Sequence, residues 1–213
     1  MATLPLFMLR TVLYPHMPLS LHVFEERYRK MMRDCLEAGT TFGVVSIREG
    51  REVADQARPR DVGTLAKIVH VQRLEDGRMN LLVTGASRFR ILRVVEGQPY
   101  AQAEVEYLPE EDGEVSDRVR SGLRRAFGRY VERLQRASRT PSGPPELPEE
   151  PEALSYLVAA TLDDSLESSQ LLLEAPTAAE RLAMELATLR READLTRRQL
   201  VVADVELGGF STN

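Results

Sequence analysis

The spacing of apolar residues changes near Pro109 and divides the sequence into two parts. Before Pro109, short apolar or β-branched runs alternate with glycines, a pattern typical of strands joined by turns. After it, apolar residues recur every three or four positions, which indicates amphipathic helices. The pattern therefore predicts a β-rich part over residues 1–110 and a helical part over residues 111–213.

The first part contains several segments with the composition of strands. Residues 41–47 form a continuous apolar run, as expected of a buried strand. Asp76-Gly77 lies between two such segments and predicts a hairpin closed by a tight type I′ turn. The predicted strand segments after the first helix are 41–47, 65–74, 79–84, 88–95 and 100–108. Short strands with non-local neighbours favour a compact barrel or sandwich that is interrupted once by a helix.

The second part predicts a small helical bundle. Its first helix begins near Ser116 and carries an apolar stripe along one face. A proline-rich loop over residues 140–151 precedes a short apolar helix. Two later helices begin at predicted capping boxes, Asp164 with Glu167 and Thr177 with Glu180. A frayed tail is predicted from about residue 205.

Residues 13–36 join a strand to a helix. The strand covers residues 19–24, and the first turn of the helix holds Glu25 and Glu26, where the helix macrodipole favours negative charge. Gly39 is the predicted end of the helix.

The side chains of this helix are predicted to divide between solvent and core. Glu25 with Arg29 and Glu26 with Lys30 are spaced as supportive pairs one turn apart. The opposite face turns toward the core. It consists of Tyr28, Met31, Met32 and Cys35.

Charge and cysteine content narrow the function classes. The net charge is −5 and the isoelectric point is near 5.4, which argues against a general nucleic-acid binder. The single cysteine, Cys35, excludes an intramolecular disulfide and a cysteine-based zinc cage, and it favours a cytoplasmic setting. Prolines break the apolar N-terminal stretch, and no apolar run approaches the ~20 residues that span a bilayer, so we expect no signal peptide and no membrane partner.

Motifs for catalysis are not found in the sequence. Lys30 and Lys67 are the only lysines, and neither follows a glycine as the phosphate-binding loop of a nucleotide hydrolase requires. Neither lies beside a glycine-rich serine turn, and no G-x-S-x-G motif is present. His22 and Glu25 are three residues apart, but a helical metal pair needs both ligands inside the helix and a third from elsewhere, whereas His22 lies in the predicted strand and the only other histidines are His16 and His70. We expect no enzymatic activity, no metal and no cofactor.

An arginine-rich segment offers one candidate surface. Residues 114–139 contain eight arginines and three acidic residues, a local excess of five positive charges. One interpretation is an ordinary solvated helix face. Another is a surface for RNA or an acidic partner, formed by Arg120, Arg124, Arg125 and Arg129. The glutamates at 146, 149, 150 and 152 are placed to fold back onto it.

Several motifs resemble a known family in their order along the chain. The opening "LPLFMLRTVLYPHMPLSLHVFEERYRKMMRDCL" is similar to the start of the Lon N-terminal, or LON substrate-binding, domain, with its LPLF, VLFPG and LPLHIFEPRY patterns. "FGVVSI", "VGTLAKI", "EDGRMNLLVTGASRFRI", "PYAQAEVEYL" and "QLLLEAPTAAERL" follow in the family's order. His16 stands where the family often has glycine, and Glu26 where it often has proline.

The resemblance implies an α+β protein, with a PUA-like pseudo-barrel containing one inserted helix and then a helical bundle. It also implies a role in binding unfolded or tagged polypeptide, without the ATPase and protease modules that follow this domain in Lon proteases. Such a module would act as an adaptor or chaperone-like factor in protein quality control, together with a separate protease or chaperone. In the family signature we expect Glu25 to pair with Arg27 or with Arg88.

An exposed apolar patch would carry polypeptide binding. The candidates are the loop residues Leu13, Tyr14, His16 and Met17, with Met31 and Met32 as adaptable contacts. Plain core packing explains the same six residues equally well. RNA binding through the arginine-rich segment is the alternative function, and a small-molecule pocket in the β-rich part is a third.

Overall fold

The computed structural model describes residues 2–49, 58–95, 99–138 and 146–208. Two compact units divide the chain. The first consists of Met1–Glu110 with Ala159–Ala175, and the second of Glu111–Val158 with Pro176–Asn213. The sequence pattern placed a single boundary after residue 110, whereas here residues 159–175 belong with the β-rich unit.

The described residues of the first unit form seven strands and two whole helices. The strands are β1 (Ala2–Leu9), β2 (Pro18–Val23), β3 (Phe42–Glu49), β4 (Arg58–Pro59), β5 (Val62–Arg73), β6 (Met79–Val95) and β7 (Gln102–Tyr107). The helices are α1 (Glu26–Ala38) and α4 (Leu166–Glu174). The segments predicted at 79–84 and 88–95 are thus parts of one long strand, β6.

Five of the strands close into a ring. β1 pairs in parallel with β3 and antiparallel with β7, while β7, β6, β5 and β3 pair antiparallel in that order. β2 adds to β6, and β4 adds to β3. The predicted pseudo-barrel with one inserted helix and the α+β class are confirmed.

Both faces of β1 and β3 are buried, because apolar clusters form on each side of them. One cluster includes Phe7 and Val44 and lies against α1. The other includes Leu6, Val45 and Phe89. The ring of Phe89 fills space that a side chain at Gly43 or Gly63 would need, since a Cβ at either position would lie under 3.0 Å from it.

Helix α1 has the predicted ends and buried face. Gly39 takes a left-handed φ of 62° just after the helix, and its N–H donates to the carbonyl of Cys35. Tyr28 stacks on Phe7 with ring centroids 4.1 Å apart, and its hydroxyl accepts from the Met8 N–H at 3.2 Å. Burial raises the pKa of the Cys35 thiol, as expected of a core cysteine rather than a reactive one.

Both ion pairs predicted one turn apart on α1 are wrong in their partners, although pairs with this spacing are present. Arg29 pairs with Glu26 at 3.1 Å rather than with Glu25, and Lys30 pairs with Asp34 at 3.2 Å rather than with Glu26. Both observed pairs are still one helical turn apart. Of the two partners expected for Glu25, the structure has Arg27, at 3.0 Å.

The hairpin between β5 and β6 is confirmed, but its turn is not type I′. That type needs positive φ at both central residues, and among the described non-glycine residues only His16 has a positive φ. Gly77 has a φ of 79° and donates its N–H to the Leu74 carbonyl at 3.0 Å. The loop is therefore longer than a two-residue hairpin turn, with Gly77 supplying its left-handed position.

Helix α4 joins the first unit through hydrogen bonds from its side chains. Gln170 donates to the carbonyl of Val62 at 3.0 Å and accepts from the Ser46 hydroxyl. The N-cap of this helix is Ser165, whose hydroxyl accepts from the Ser168 N–H at 3.1 Å. The predicted cap, Asp164, is wrong by one residue, because two adjacent residues here have side chains suited to capping.

The C-terminal end of α4 is held by a buried arginine of β6. Arg88 has 2% of its side chain exposed and pairs with Glu110 at 2.6 Å. It also donates to the carbonyls of Leu173 and Ala175, at 2.9 and 2.7 Å. Carbonyls at the end of a helix lack intrahelical partners, so a cation there satisfies them and complements the macrodipole.

The second unit is helical, as predicted. It contains α2 (Asp117–Ser138), most of α3 (Pro151–Thr161) and α5 (Ala178–Gly208). Thr177 caps α5 as predicted, accepting from the Glu180 N–H at 3.2 Å. Of the predicted proline-rich loop, residues 146–150 are non-helical and 140–145 lie outside the described residues. Helix α5 reaches Gly208, and the last five residues of the predicted tail also lie outside them.

A buried carboxyl group lies in the core of this second unit. Glu185 is 0% exposed, and neither of its carboxyl oxygens has a hydrogen-bond partner among the described residues. Arg181, one turn earlier, is also buried; it donates to the Ser155 hydroxyl at 2.7 Å and stacks over Tyr156 at 3.8 Å. Desolvation raises the pKa of Glu185 well above its ordinary value, and the charge of Arg181 only partly opposes this.

Replacing Arg88 with Met should lower the free energy of unfolding by about 3–5 kcal/mol, because Glu110 and the α4 carbonyls lose their buried partner. Arg90→Met is the matched control, since Arg90 is an exposed residue of the same strand. It should change the free energy of unfolding by less than about 0.5 kcal/mol. Urea unfolding monitored by circular dichroism measures both, and equal effects would contradict the role given to Arg88.

The Glu185→Gln variant should make stability less dependent on pH. A raised pKa in the folded state means that the contribution of Glu185 to stability is full below its unfolded value and is lost as the pH rises. The variant should therefore raise Tm at pH 8 and raise it less at pH 5. Ala183→Gln, at an exposed position of the same helix that carries no titratable group, should shift Tm equally at both pH values. An unchanged pH dependence in the Glu185 variant would show that this carboxyl is not the source.

Candidate functional site

The loop between β1 and β2 contains a tight turn with an unusual residue. The N–H of Met17 donates to the Tyr14 carbonyl at 3.2 Å, so residues 14–17 form a β-turn with Pro15 and His16 at its centre. His16 has a φ of 65°. Proline followed by a residue with positive φ is the arrangement of a type II turn, in which glycine is favoured at the second position.

The loop lies directly against the backbone of β6. Gly85 accepts from the His16 N–H at 2.9 Å and donates to the Met17 carbonyl at 3.0 Å. A Cβ at position 85 would lie 2.1 Å from the Tyr14 carbonyl oxygen, so only glycine fits. The sequence pattern did not single out Gly85, although a glycine inside a strand is itself a sign of close backbone approach.

Two further hydrogen bonds fix the loop. The Thr64 hydroxyl of β5 donates to the Leu13 carbonyl at 2.6 Å. The Tyr14 hydroxyl donates to the Ser169 carbonyl of α4 at 2.9 Å. The loop is thus anchored on the barrel side and on the α4 side.

A groove of about 300 Å³ lies between this loop and residues 159–169. Its walls come from the loop, from the start of β2, and from the end of α3 with the segment after it. The residues that line it are Thr11, Val12, Leu13, Tyr14, Met17, Pro18, Leu19, Ala159, Ala160, Leu162, Asp164 and Ser169. We call this feature the loop groove. Its size is at the lower end of the range for pockets that hold small ligands or single side chains.

Most residues that line the loop groove are apolar in type, but polar atoms form the larger share of its surface, and one of the lining residues is a carboxylate. Asp164 accepts from the Ser165 N–H through Oδ1 at 2.7 Å. Its Oδ2 is buried, and none of the described residues donates a hydrogen bond to it. A buried carboxylate oxygen without a donor is costly, so it favours a ligand that brings an N–H group. The sequence pattern considered Asp164 only as a helix cap.

The structure divides the six residues predicted to bind polypeptide. Leu13, Tyr14 and Met17 border the loop groove, but Leu13 and Tyr14 are buried, at 3% and 4% exposed, contrary to the expected exposed patch. His16 is exposed at the tip of the same turn. Met31 and Met32 are 0% exposed and lie in the cluster beneath α1. The expectation that these two methionines offer contacts to a ligand is therefore corrected, because the helix face that carries them is entirely used in packing.

The arginine-rich segment is partly occupied by contacts within the second unit. Arg124 pairs with Glu149 at 3.1 Å and donates to the Pro148 carbonyl, so one of the glutamates placed to fold back does so. Arg120 is half-buried. Arg125 and Arg129 are exposed and lie one turn apart on α2.

Neither a metal site nor a membrane-spanning helix is found in the part of the chain that the structure describes. Within it, no group of three or more His, Cys, Asp or Glu side chains is arranged to hold a metal ion. No helix in these ranges is long and apolar enough to cross a membrane.

A comparison with protein families matches residues 3–191 to the ATP-dependent protease La (LON) substrate-binding domain. Lon protease 1 of Thermus thermophilus is 34% identical over 206 residues, which cover 92% of this chain and 25% of that protein. The Lon protease of Anaeromyxobacter dehalogenans is 28% identical, with coverage of 92% and 24%. The chain therefore spans about a quarter of the length of these curated relatives.

Two solved structures of Lon N-terminal domains are similar to this chain in fold. The Lon N-terminal domain protein from Xanthomonas campestris superposes with a TM-score of 0.69 and 28% identity, covering 88% of this chain and 98% of that one. The N-terminal domain of a Mycobacterium avium complex Lon protease has a TM-score of 0.66, covers 89% of this chain and 98% of its own, and at 18% identity supports the fold alone. Because the family match covers nearly all of the barrel, the loop groove and α4, the chain belongs to the LON substrate-binding domain family.

Proposed function

We propose that this chain binds unfolded or tagged polypeptide in the loop groove and does so without catalysing a reaction. The observation that carries the proposal is the groove itself, in which a limited apolar surface and polar atoms lie beside a buried carboxylate oxygen of Asp164 that has no donor among the described residues. Unfolded chains offer apolar side chains together with free backbone N–H groups. Membership of a substrate-binding family supports this choice over a small-molecule pocket.

The edge of β2 gives an extended segment a place to lie. Among the described strands β2 pairs only with β6, which leaves its other edge without a strand partner. Pro18 and Leu19, at the start of β2, belong to the groove wall. An added strand would hydrogen-bond along this edge, place one apolar side chain against Met17 and Leu19, and direct an N–H toward Asp164.

The strained turn supports a role for the loop in binding. A residue other than glycine in the left-handed region costs roughly 1–3 kcal/mol, and such strain is often found at binding sites. Here the surrounding contacts to Gly85, Thr64 and Ser169 hold the turn in one conformation. A preformed groove wall loses less conformational entropy when a ligand binds.

Such a module would serve in the cytoplasm as an adaptor or chaperone-like factor, passing bound chains to a separate protease or chaperone. Binding of RNA or an acidic partner is a second candidate. It would depend on Arg125 and Arg129, the exposed pair on α2. It has less support, because Arg124 is already engaged and the chain as a whole carries a net charge of −5.

An Ala160→Arg substitution should weaken polypeptide binding at least about tenfold, which corresponds to about 1.4 kcal/mol. Ala160 is exposed at the groove and lies in α3, where arginine is a good helix former, so the fold should persist. Ala183→Arg on the exposed face of α5 is the matched control and should bind as the parent does. Fluorescence anisotropy with labelled, reduced α-lactalbumin measures both. Equal affinities for the two variants would place the site elsewhere, and no binding by the parent would overturn the proposed function.

A His16→Gly substitution should raise the free energy of unfolding by about 1 kcal/mol, because glycine relieves the left-handed strain and this outweighs its greater freedom when unfolded. His70→Gly is the control, at an exposed strand position where φ is not positive. It should lower stability by about 0.5–1 kcal/mol. Thermal and urea unfolding give both values, and a loss of stability in the His16 variant would contradict the strain argument.

A further inference from the structure

A second depression lies between α1 and the hairpin that joins β5 to β6. It has a volume of about 410 Å³ and shares no residue with the loop groove. Three arginines line it, Arg33, Arg73 and Arg78, together with the apolar residues Leu36, Leu74 and Met79. We call this feature the arginine depression. Nothing in the proposed use of the loop groove involves it.

The arginines of the depression retain donors for a ligand. Arg33 pairs with Glu26 at 3.3 Å through Nη2. Arg78 pairs with Asp76 at 2.5 Å through Nε, and its Nη1 lies 3.5 Å from His22 Nε2. Arg73 is exposed, and its guanidinium has no ion pair with a side chain in the described part of the chain. A guanidinium has five N–H donors, so single pairs of this kind leave several unused.

The charge of the depression favours an anion of limited size. Glu37 is the one carboxylate among its lining residues, and Glu26 and Asp76 lie outside the lining but already pair with Arg33 and Arg78. Arg73 is therefore the lining arginine whose charge no ion pair in the described part of the chain offsets. An arginine can hold a carboxylate through two parallel N–H bonds. Glu37 would repel a second carboxylate on the same ligand.

The floor and wall of the depression are fixed by contacts already present. Leu36 and Leu74 are half-buried, and Met79 is 4% exposed. Arg29 of α1 donates to the Gly77 carbonyl at 3.0 Å, which holds the hairpin turn against the helix. A Cβ at Gly77 would lie 2.3 Å from the Arg29 guanidinium, so this close approach depends on glycine.

We propose that the arginine depression binds the C-terminal carboxylate of a polypeptide whose last side chain is apolar. The α-carboxylate would accept hydrogen bonds from Arg73 and Arg33, and the last side chain would cover Leu36, Leu74 and Met79. A free phosphate would use the arginines but leave the apolar floor uncovered. This assignment rests on the proposed function, because it takes a polypeptide as the ligand, and it adds selection for chain ends to binding in the loop groove.

The test compares peptides that differ only at their last atoms. Labelled decapeptides of Gly and Ser that end in Val-Leu are prepared as the free acid and as the C-terminal amide, and a third free-acid peptide ends in Ser-Ser. Anisotropy with the full chain should show the Val-Leu acid binding about tenfold more tightly than the amide or the Ser-Ser acid. An R33Q/R73Q double variant should bind the Val-Leu acid only as weakly as the parent binds the amide. Arg90→Gln, an exposed arginine of β6 outside the depression, is the control and should behave as the parent does.

The outcomes separate this site from the loop groove. Equal binding of acid and amide, or unchanged binding by R33Q/R73Q, overturns the carboxylate site. Displacement of the Val-Leu acid by millimolar inorganic phosphate, together with equal binding of the Ser-Ser acid, also overturns it, because the apolar floor would then have no role. Binding of reduced α-lactalbumin in the loop groove would still be measured in each of these cases. If the parent protein did not bind reduced α-lactalbumin, the proposed function itself would be contradicted.

Discussion

The buried guanidinium of Arg88 is the interaction on which the first unit depends. Its donors reach Glu110, just after β7, and two carbonyls at the end of α4, segments more than sixty residues apart in the sequence. Few side chains other than arginine can donate in several directions from one buried position. By fixing the end of α4, Arg88 also places the other end of that helix, where Ser169 and Asp164 form one wall of the loop groove. The groove therefore depends on a contact that it does not include.

Local patterns in the sequence predict most of the barrel. The alternation in β7, the apolar run of β3 and the Asp-Gly turn each depend on a few neighbouring residues, and all three elements are present. Gly39 ends α1 as expected for the same reason. The type of the hairpin turn and the cap of α4 were wrong in detail, since several turns and caps fit one short sequence. The place of α4 was missed because it is decided by hydrogen bonds to distant strands from Gln170 and Arg88.

The candidate site could be predicted only in part. The loop of Leu13, Tyr14 and Met17 was proposed from its apolar residues; it borders a groove, but Leu13 and Tyr14 are themselves buried, and their role in binding stays a prediction. Met31 and Met32 have the same apolar character but are buried, and composition cannot separate a buried methionine from an exposed one. Gly85 and Asp164 were missed for another reason. Their importance arises from groups that meet only in the folded chain. A Cβ at position 85 would lie 2.1 Å from a carbonyl oxygen, and one Asp164 oxygen has no donor among the described residues.

The ring of strands has a consequence for the order in which the protein can fold. β1 is synthesised before the other described strands, whereas its antiparallel partner β7 begins only at Gln102. The α4 segment held by Arg88 is synthesised later still. At roughly 5–20 residues per second, β1 waits on the order of ten seconds for β7 during synthesis. Both of its apolar faces lack their full cover throughout that interval, and long-range pairing of this kind is slow to form. A domain proposed to bind unfolded chains therefore passes through a stage on the ribosome in which it displays the same kind of surface as its clients.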